Sequence, residues 1–176
     1  LNNNLLDSVS GQSGSINGSY LFSPTAALGS HSGFGWGIQS FDTVNPQLLD
    51  GATAFTISCW ARFRDTVITE GGVVYCRSPR VFGMYTESSG SVTVQVVTEQ
   101  GTSYAGWSHE WLEPDKWYLL TTAWDGSTGL IHIYLNGDYM GSGSVWQGAK
   151  GPLGQSSPIE VMKGARSTGF FGNIDD

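Results

Sequence analysis

Alternation of apolar and polar side chains is the feature that most limits how this chain can fold. In the segment FTISCWARF, from Phe55 to Phe63, the odd positions are apolar and the even positions are mostly polar. A period of two is typical of a strand with one buried face, because successive side chains point to opposite sides of a sheet. The pattern therefore predicts a half-buried antiparallel strand over this segment.

Similar short runs recur along the chain and predict about ten strands in all. They are rich in Val, Ile, Tyr and Thr and are bounded by Gly, Pro, Ser or Asp. Beside 55–63, the predicted strands cover residues 14–21, 36–41, 72–77, 80–86, 91–98, 116–124, 130–135, 138–142 and 159–163. Helices are limited to single turns near residues 47–50. We therefore expect an all-β protein of two packed antiparallel sheets, with a core that includes Phe55, Ile57, Trp117, Leu119, Ile131 and Ile133.

The segment from Ile131 to Met140 gives the clearest local prediction. Asn136 and Gly137 stand between two strand-like runs. A type I′ turn needs positive φ at both central residues, and Asn-Gly is the pair that best tolerates it. The segment therefore predicts a tight hairpin, and a second turn at residues 125–129 joins it to the strand before it as a three-stranded meander.

The composition fits many short strands and excludes several classes of function. The chain has 25 Gly and only 8 Lys and Arg, which disfavours long surface helices. A net charge of -7 provides no basic surface for nucleic acid or for an anionic membrane. No apolar stretch approaches the roughly 18 to 20 residues of a membrane span. We expect one domain over residues 1–176 that neither binds nucleic acid nor inserts into a membrane.

Two cysteines, Cys59 and Cys76, lie in consecutive predicted strands. They can form a disulfide bond only if they face each other across the sheet, and otherwise they are two buried thiols. The sequence leaves both possibilities open.

Four segments resemble successive signatures of laminin-G-like, concanavalin-A-like jelly-roll domains. They occur in the family's order and are FTISCW at 55–60, DKWYLLTTAWDG at 115–126, IYLNG at 133–137 and FGNIDD at 171–176. The resemblance covers nearly the whole chain and implies a two-sheet antiparallel jelly-roll sandwich of the concanavalin-A-like lectin/glucanase fold. It also implies that the family's first and last strands lie outside this chain, so that a flanking segment or a partner chain is expected to complete the sheet edge.

Enzymes share this fold, but the residues favour a non-catalytic role. The nearest carboxylate group is Glu110, Glu113 and Asp115. Strand alternation would put Glu113 and Asp115 on one face and Glu110 on the other, and Pro114 interrupts strand pairing. The segment is interpreted as a solvated loop, and we expect no catalytic residues.

Carbohydrate recognition is favoured, because saccharide rings stack on exposed aromatic side chains. Trp36, Trp107, Trp111 and Trp146 lie in loop-like segments rich in Gly and are the candidate ligand-binding residues. The alternative for each ring is that it packs against the end of the sandwich.

The favoured function is a recognition or adhesion module with a glycan partner, extracellular or on a virion surface. The Gly-rich, acidic character is also similar to laminin-G-like domains of phage tail and capsid proteins. A structural decoration or assembly domain, with neighbouring virion chains as partners, is therefore the alternative. A glycoside hydrolase or lyase of the same fold is a third hypothesis.

The resemblance further implies a structural calcium ion near the closing segment. Asp175 matches a carboxylate position of the family, and Asp42 is a second candidate ligand if the loops converge. Backbone carbonyls around residues 28–30 and water would complete the roughly six to eight oxygen ligands that calcium takes. The alternative is an ordinary pair of surface carboxylates at residues 175 and 176.

Overall fold

The computed structural model describes residues 13–17, 21–36, 40–42, 47–64, 71–76, 81–86, 91–107, 112–143, 148–155, 159–162 and 171–175. They form fourteen strands in two sheets of seven, and the described strand pairs are antiparallel. Within these ranges there is no helix, and so none that could cross a membrane. The expected all-β sandwich of two antiparallel sheets is confirmed.

The strands of the first sheet stand in an order that differs from their order along the chain. Across this sheet they are β1 (Ser15–Asn17), β4 (Ser40–Asp42), β13 (Ile159–Val161), β6 (Gly71–Cys76), β7 (Phe82–Thr86), β8 (Val92–Thr98) and β9 (Gly101–Trp107).

The second sheet is also built from distant parts of the chain. Across it stand β12 (Asp138–Gly143), β11 (Leu130–Leu135), β10 (Trp117–Asp125), β5 (Ala54–Phe63), β14 (Phe171–Asp175), β3 (Ser32–Trp36) and β2 (Leu21–Ser23). The last strand along the chain, β14, thus lies between β5 and β3.

The core lies between the two sheets and is held by aromatic contacts across them. Phe55 of β5 meets Phe82 of β7 edge to face, with ring centroids 5.1 Å apart, and also contacts Trp124 of β10 at 5.5 Å. Trp124 is 2% exposed, and its indole N–H donates a 3.0 Å hydrogen bond to the carbonyl oxygen of Ala149. A buried Trp whose N–H has a partner adds apolar area without an unpaired polar group.

Trp117 and Leu119 do not lie in the core, contrary to the prediction. They pair with Arg62 and Trp60 on the outward side of the second sheet and are half-buried. The inward positions of β10 are the buried Leu120, Thr122 and Trp124. Because WYLLTTAWD has apolar residues in both phases of the alternation, the period of two could not decide which face is buried. Of the other four expected core residues, Ile131 and Ile133 are buried, and Phe55 and Ile57 pack against the core.

The predicted hairpin is confirmed. Asn136 and Gly137 have φ values of 53° and 90°, as a type I′ turn requires. Tyr134 pairs with Tyr139, whereas Ile133 pairs with Gly141, so β12 has one extra residue at this point. This β-bulge changes which side chains of β12 share a face with β11.

Strand β9 was not predicted, although it pairs with β8 over its whole length. Its sequence, GTSYAGW, has two Gly and two small residues, which lower the strand signal. Its pairing with β8 makes it a strand, in spite of this composition.

Cys59 is a buried free thiol. It lies in β5 of the second sheet, whereas Cys76 lies in β6 of the first sheet, and the side chain of Cys76 is outside the described residues. Burial raises the pKa of the Cys59 thiol to about 12. The buried-thiol interpretation is thus confirmed for Cys59, which forms no disulfide bond in the structure.

Candidate functional site

The outward side of β7, β8 and β9 combines an exposed ring with a fixed amide. Gly83, Gln95 and Tyr104 are direct partners in one row across these strands. Gln95 is 5% exposed, and its Nε2 donates a 2.6 Å hydrogen bond to the phenol oxygen of Tyr104. Tyr104 itself is 39% exposed. The ring is therefore held at the surface by a buried side chain and needs little ordering before it contacts a ligand.

The next row leaves an open space beside this ring. Tyr85, Thr93 and Gly106 are partners across the same strands, and Tyr85 and Thr93 are half-buried. Among the described residues, a Cβ atom placed on Gly106 would meet only the Thr93 hydroxyl, at 3.7 Å. A glycine inside a strand often marks a site that a ligand approaches closely. We call these two rows the β7–β9 face.

The row of Gly83, Gln95 and Tyr104 continues across the sheet toward acidic residues near its other edge. Glu160 of β13 pairs with Tyr75 of β6, and Tyr75 pairs with Gly83. Glu160 also pairs with Asp42 of β4, so two carboxylate residues stand opposite each other on neighbouring strands. The side chains of Asp42 and Tyr75 are outside the described residues.

Asp175, the predicted calcium ligand, anchors the loop between β2 and β3. Its side chain is 1% exposed, and Oδ2 accepts hydrogen bonds of 2.9 Å from the backbone amides of Ala27 and Leu28. This oxygen faces N–H groups, which are not ligands for a cation. Asp42 belongs to the other sheet. Among the described residues no group of three or more His, Cys, Asp or Glu could hold a metal ion, so the calcium site stays a prediction.

Beside Asp175, polar side chains form a continuous network on the outward side of the second sheet. Arg62 donates to Asn173 at 3.1 Å, Asn173 donates to the Ser32 hydroxyl at 2.9 Å, and Ser32 donates to the carbonyl oxygen of Thr25. Arg62 also forms a 2.6 Å ion pair with Asp115. Asn173 and Ser32 are buried and each has a hydrogen-bond partner, so we assign this network to stability.

The acidic segment before β10 is solvated, as expected. Glu113 is exposed and forms an ion pair with Lys116 at 2.6 Å, and this hydrogen bond raises the pKa of Lys116. Asp115 is exposed and paired with Arg62. Glu110 is outside the described residues.

Of the four predicted ligand-binding tryptophans, two have a described backbone. Trp36 ends β3 and pairs with Phe171, and Trp107 ends β9 and pairs with Val92. Their side chains, and all of Trp111 and Trp146, lie outside the described residues. The four rings therefore stay predictions.

Sequence reasoning missed Tyr104, Gln95 and Gly106 as site residues, because β9 was not recognised as a strand. A signal was present: Tyr104 and Gly106 are two residues apart, and a strand would put both on one face. A ring next to a glycine on the polar side of a strand is the pattern that could have identified them.

Comparisons with known proteins agree with this architecture. A family model of the laminin G type, described as the concanavalin A-like lectin/glucanases superfamily, matches residues 37–176. The search of curated proteins found no match.

Three solved structures illustrate the likeness. Domain 4 of AbnA, a GH43 extracellular arabinanase from Geobacillus stearothermophilus in complex with arabinotriose, has a TM-score of 0.74 at 13% identity, over 98% of this chain and 84% of that chain. Domains LG4-5 of the mouse laminin alpha1 chain give 0.54 at 17% identity, over 79% of this chain and 40% of that chain. The extracellular region of zebrafish Adgrg6 gives 0.51 at 21% identity, over 69% and 17% of the two chains. These structural similarities establish the fold of the chain.

Proposed function

The chain belongs to the concanavalin A-like lectin/glucanase superfamily, and from this premise we propose that it is a non-catalytic carbohydrate-binding domain whose ligand lies on the β7–β9 face. The observation that carries the proposal is the exposed Tyr104 ring, fixed by Gln95 and next to the open space at Gly106. A saccharide presents apolar C–H faces that stack on such a ring, while amide and hydroxyl groups read its hydroxyls.

The net charge of the chain and the solved structure of a similar domain limit the class of ligand that we propose. A net charge of -7 does not favour polyanionic ligands such as nucleic acid or sulfated glycans. The similar domain of the Geobacillus arabinanase is described in complex with arabinotriose, a neutral oligosaccharide. Neutral plant polysaccharides, with arabinan first, are therefore the ligands to test. An extracellular or cell-surface location follows from this proposal, because such polymers lie outside the cell.

One substitution tests the site without removing a contact. Gly106→Val fills the open space, because the Thr93 hydroxyl is the one described atom near a Cβ at this position, and a β-branched residue suits a strand. We expect the free energy of unfolding to change by less than about 0.5 kcal/mol. Binding of arabinotriose and of arabinan at the β7–β9 face should be lost, and calorimetry and depletion from solution measure that loss. Tyr104→Ala should have the same effect on binding.

The matched control is Gly154→Val, because a Cβ atom at Gly154 meets none of the described residues within 4 Å, so this position has room for a side chain as well. Gly154 lies outside the β7–β9 face, so this variant should bind like the wild type. Equal binding by Gly106→Val and the wild type would refute the proposed site.

The non-catalytic part of the proposal has its own test. Asp42 and Glu160 are direct partners on neighbouring strands, and a retaining glycosidase needs two carboxyl groups about 5–5.5 Å apart, so this pair is the one to test for catalysis. We expect no release of reducing sugar from arabinan, xylan or β-glucan. Turnover that disappears in Glu160→Gln would make the chain an enzyme.

The virion setting and the partner chains remain a second hypothesis. An assembly domain would bury its loops against neighbouring proteins, whereas a carbohydrate-binding domain keeps the β7–β9 face accessible. Mass measurement by light scattering, with and without arabinan oligosaccharides, separates a self-assembling chain from a sugar-binding one.

A further inference from the structure

Three rings meet on the outward side of the second sheet, away from the β7–β9 face. Tyr139 of β12 lies 5.5 Å from Tyr134 and 5.9 Å from His132, centroid to centroid, with interplanar angles of 56° and 46°. Although Tyr139 contacts two rings, it keeps 56% of its surface exposed. We call these three residues the hairpin ring cluster.

The turn and the bulge determine which groups surround Tyr139. The two-residue turn at Asn136 and Gly137 sets Tyr139 opposite Tyr134. The extra residue in β12 then brings Ser142, rather than Gly141, opposite His132. Ser142 is exposed, so a hydroxyl group stands beside the rings. Bulges are frequent where a strand must redirect side chains for binding.

Hydroxyl groups extend the cluster across the sheet. Thr121 of β10 pairs with Tyr134, and its hydroxyl lies 2.7 Å from that of Ser58 on β5. The two rows that contain the cluster hold no Asp, Glu, Lys or Arg. These rows are Ser58, Thr121, Tyr134 and Tyr139, and Thr56, Ala123, His132 and Ser142. Rings for stacking beside hydroxyls, with no carboxylate, Lys or Arg among them, suit a neutral saccharide better than a uronate or a sulfated sugar.

We propose that the hairpin ring cluster is a second, independent contact site for a neutral saccharide, on the other side of the sandwich from the β7–β9 face. This inference rests on the proposed function for its ligand class and on separate residues for its location. A domain with two such sites on opposite sides binds a polymer network with greater apparent affinity than either site binds one chain.

The experiment compares Tyr139→Ala with Gly106→Val, and uses arabinotriose and debranched arabinan as probes. We expect wild-type calorimetry with arabinotriose to give two sites and each single variant to give one. On arabinan, Tyr139→Ala should lower the apparent affinity by about tenfold or more, because avidity is lost. Tyr139→Phe should keep both the second arabinotriose site and the apparent affinity for arabinan, since the ring rather than the hydroxyl makes the stacking contact.

Leu48→Ala is the matched control, because Leu48 is also 56% exposed but lies in a turn away from both sites. The melting temperature of Tyr139→Ala should stay near that of Leu48→Ala. If Gly106→Val abolishes all binding and Tyr139→Ala leaves it intact, the second site is wrong and the proposed function stands. If Tyr139→Ala alone reduces binding, the cluster is a site and the β7–β9 face is wrong. A wild type that binds no neutral glycan overturns both.

Discussion

The hydroxyl of Ser103 donates a 2.6 Å hydrogen bond to the carbonyl oxygen of Gly129. This bond joins β9, the edge strand of the first sheet, to the turn before β11 in the second sheet. The same hydroxyl accepts a 2.6 Å hydrogen bond from the backbone amide of Ala149. Ser103 is fully buried. One side chain thus ties together three distant backbone segments at one end of the sandwich.

Ser103→Ala should be strongly destabilising, because it leaves a buried carbonyl and a buried amide without this partner. We expect the free energy of unfolding to fall by about 1–3 kcal/mol in urea titrations. Ser58→Ala removes a hydroxyl from an exposed pair and should change it by only about 0.5 kcal/mol or less. Equal effects of the two substitutions would show that Ser103 does not hold the sheets together.

Asp175→Ala tests both the loop anchor and the predicted calcium ion. Loss of the acceptor for the Ala27 and Leu28 amides should destabilise the protein by about 1–3 kcal/mol without added metal. The sequence-based prediction adds that millimolar calcium raises the melting temperature of the wild type, because a ligand bound to the native state stabilises it. That rise should be absent in Asp175→Ala. A wild type that calcium does not shift would leave Asp175 with the anchoring role alone.

Trp107 and Trp111 are both predicted ligand-binding rings, and truncating each one tests that role against packing on the end of the sandwich. We expect Trp107→Ala to weaken glycan binding and to leave the melting temperature nearly unchanged. A ring that packs on the sandwich would instead lower the free energy of unfolding by about 3–5 kcal/mol when it is truncated to Ala. Trp111→Ala should leave stability nearly unchanged and weaken glycan binding. Paired thermal melts and binding isotherms distinguish the roles, and an unstable Trp111→Ala would exclude it as a platform residue.

The Cys59 thiol should be inert in the folded protein. Its pKa of about 12 leaves almost no thiolate at pH 8, and the side chain is buried. In a Cys76→Ser background, a thiol reagent should label Cys59 only after unfolding. Because burial raises the pKa of this thiol from its ordinary value of 9.0 to about 12, the stability contributed by the neutral thiol is fully present below pH 9 and is lost as pH rises toward 12. Rapid labelling of the native protein at pH 8 would contradict the burial of this residue.

The sequence predicted the strands that have one apolar face. It did not predict strand β9 or the buried face of β10, because both depend on contacts with distant parts of the chain. The alternation in β5 and the Asn136–Gly137 turn are local signals, and both led to correct predictions. Strand β9 has few apolar residues and becomes a strand through its pairing with β8, so its sequence alone gave little signal. Trp117 was assigned to the wrong face because both phases of β10 are apolar.

The candidate site was harder to predict than the fold, for a related reason. Tyr104, Gln95 and Gly106 form a surface only when β8 and β9 stand side by side in one register. Likewise, Ser142 stands opposite His132 because of a bulge that no local pattern indicates. Aromatic residues in loops can be found by composition, whereas rings on a sheet face require the strand order.

The position of β14 has a consequence for how quickly the protein can form. The strands β3 and β2 are linked to the remainder of the second sheet through β14, which pairs with β3 on one side and β5 on the other. Until residues 171–175 are made and inserted, β3 and β5 expose unpaired edges separated along the chain by more than a hundred residues from the strand that will cover them. Folding rates fall as such non-local pairings increase, and open edges invite pairing between molecules. The nascent chain therefore depends on β14, and slow synthesis of the residues between β5 and β14 would favour aggregation over native folding.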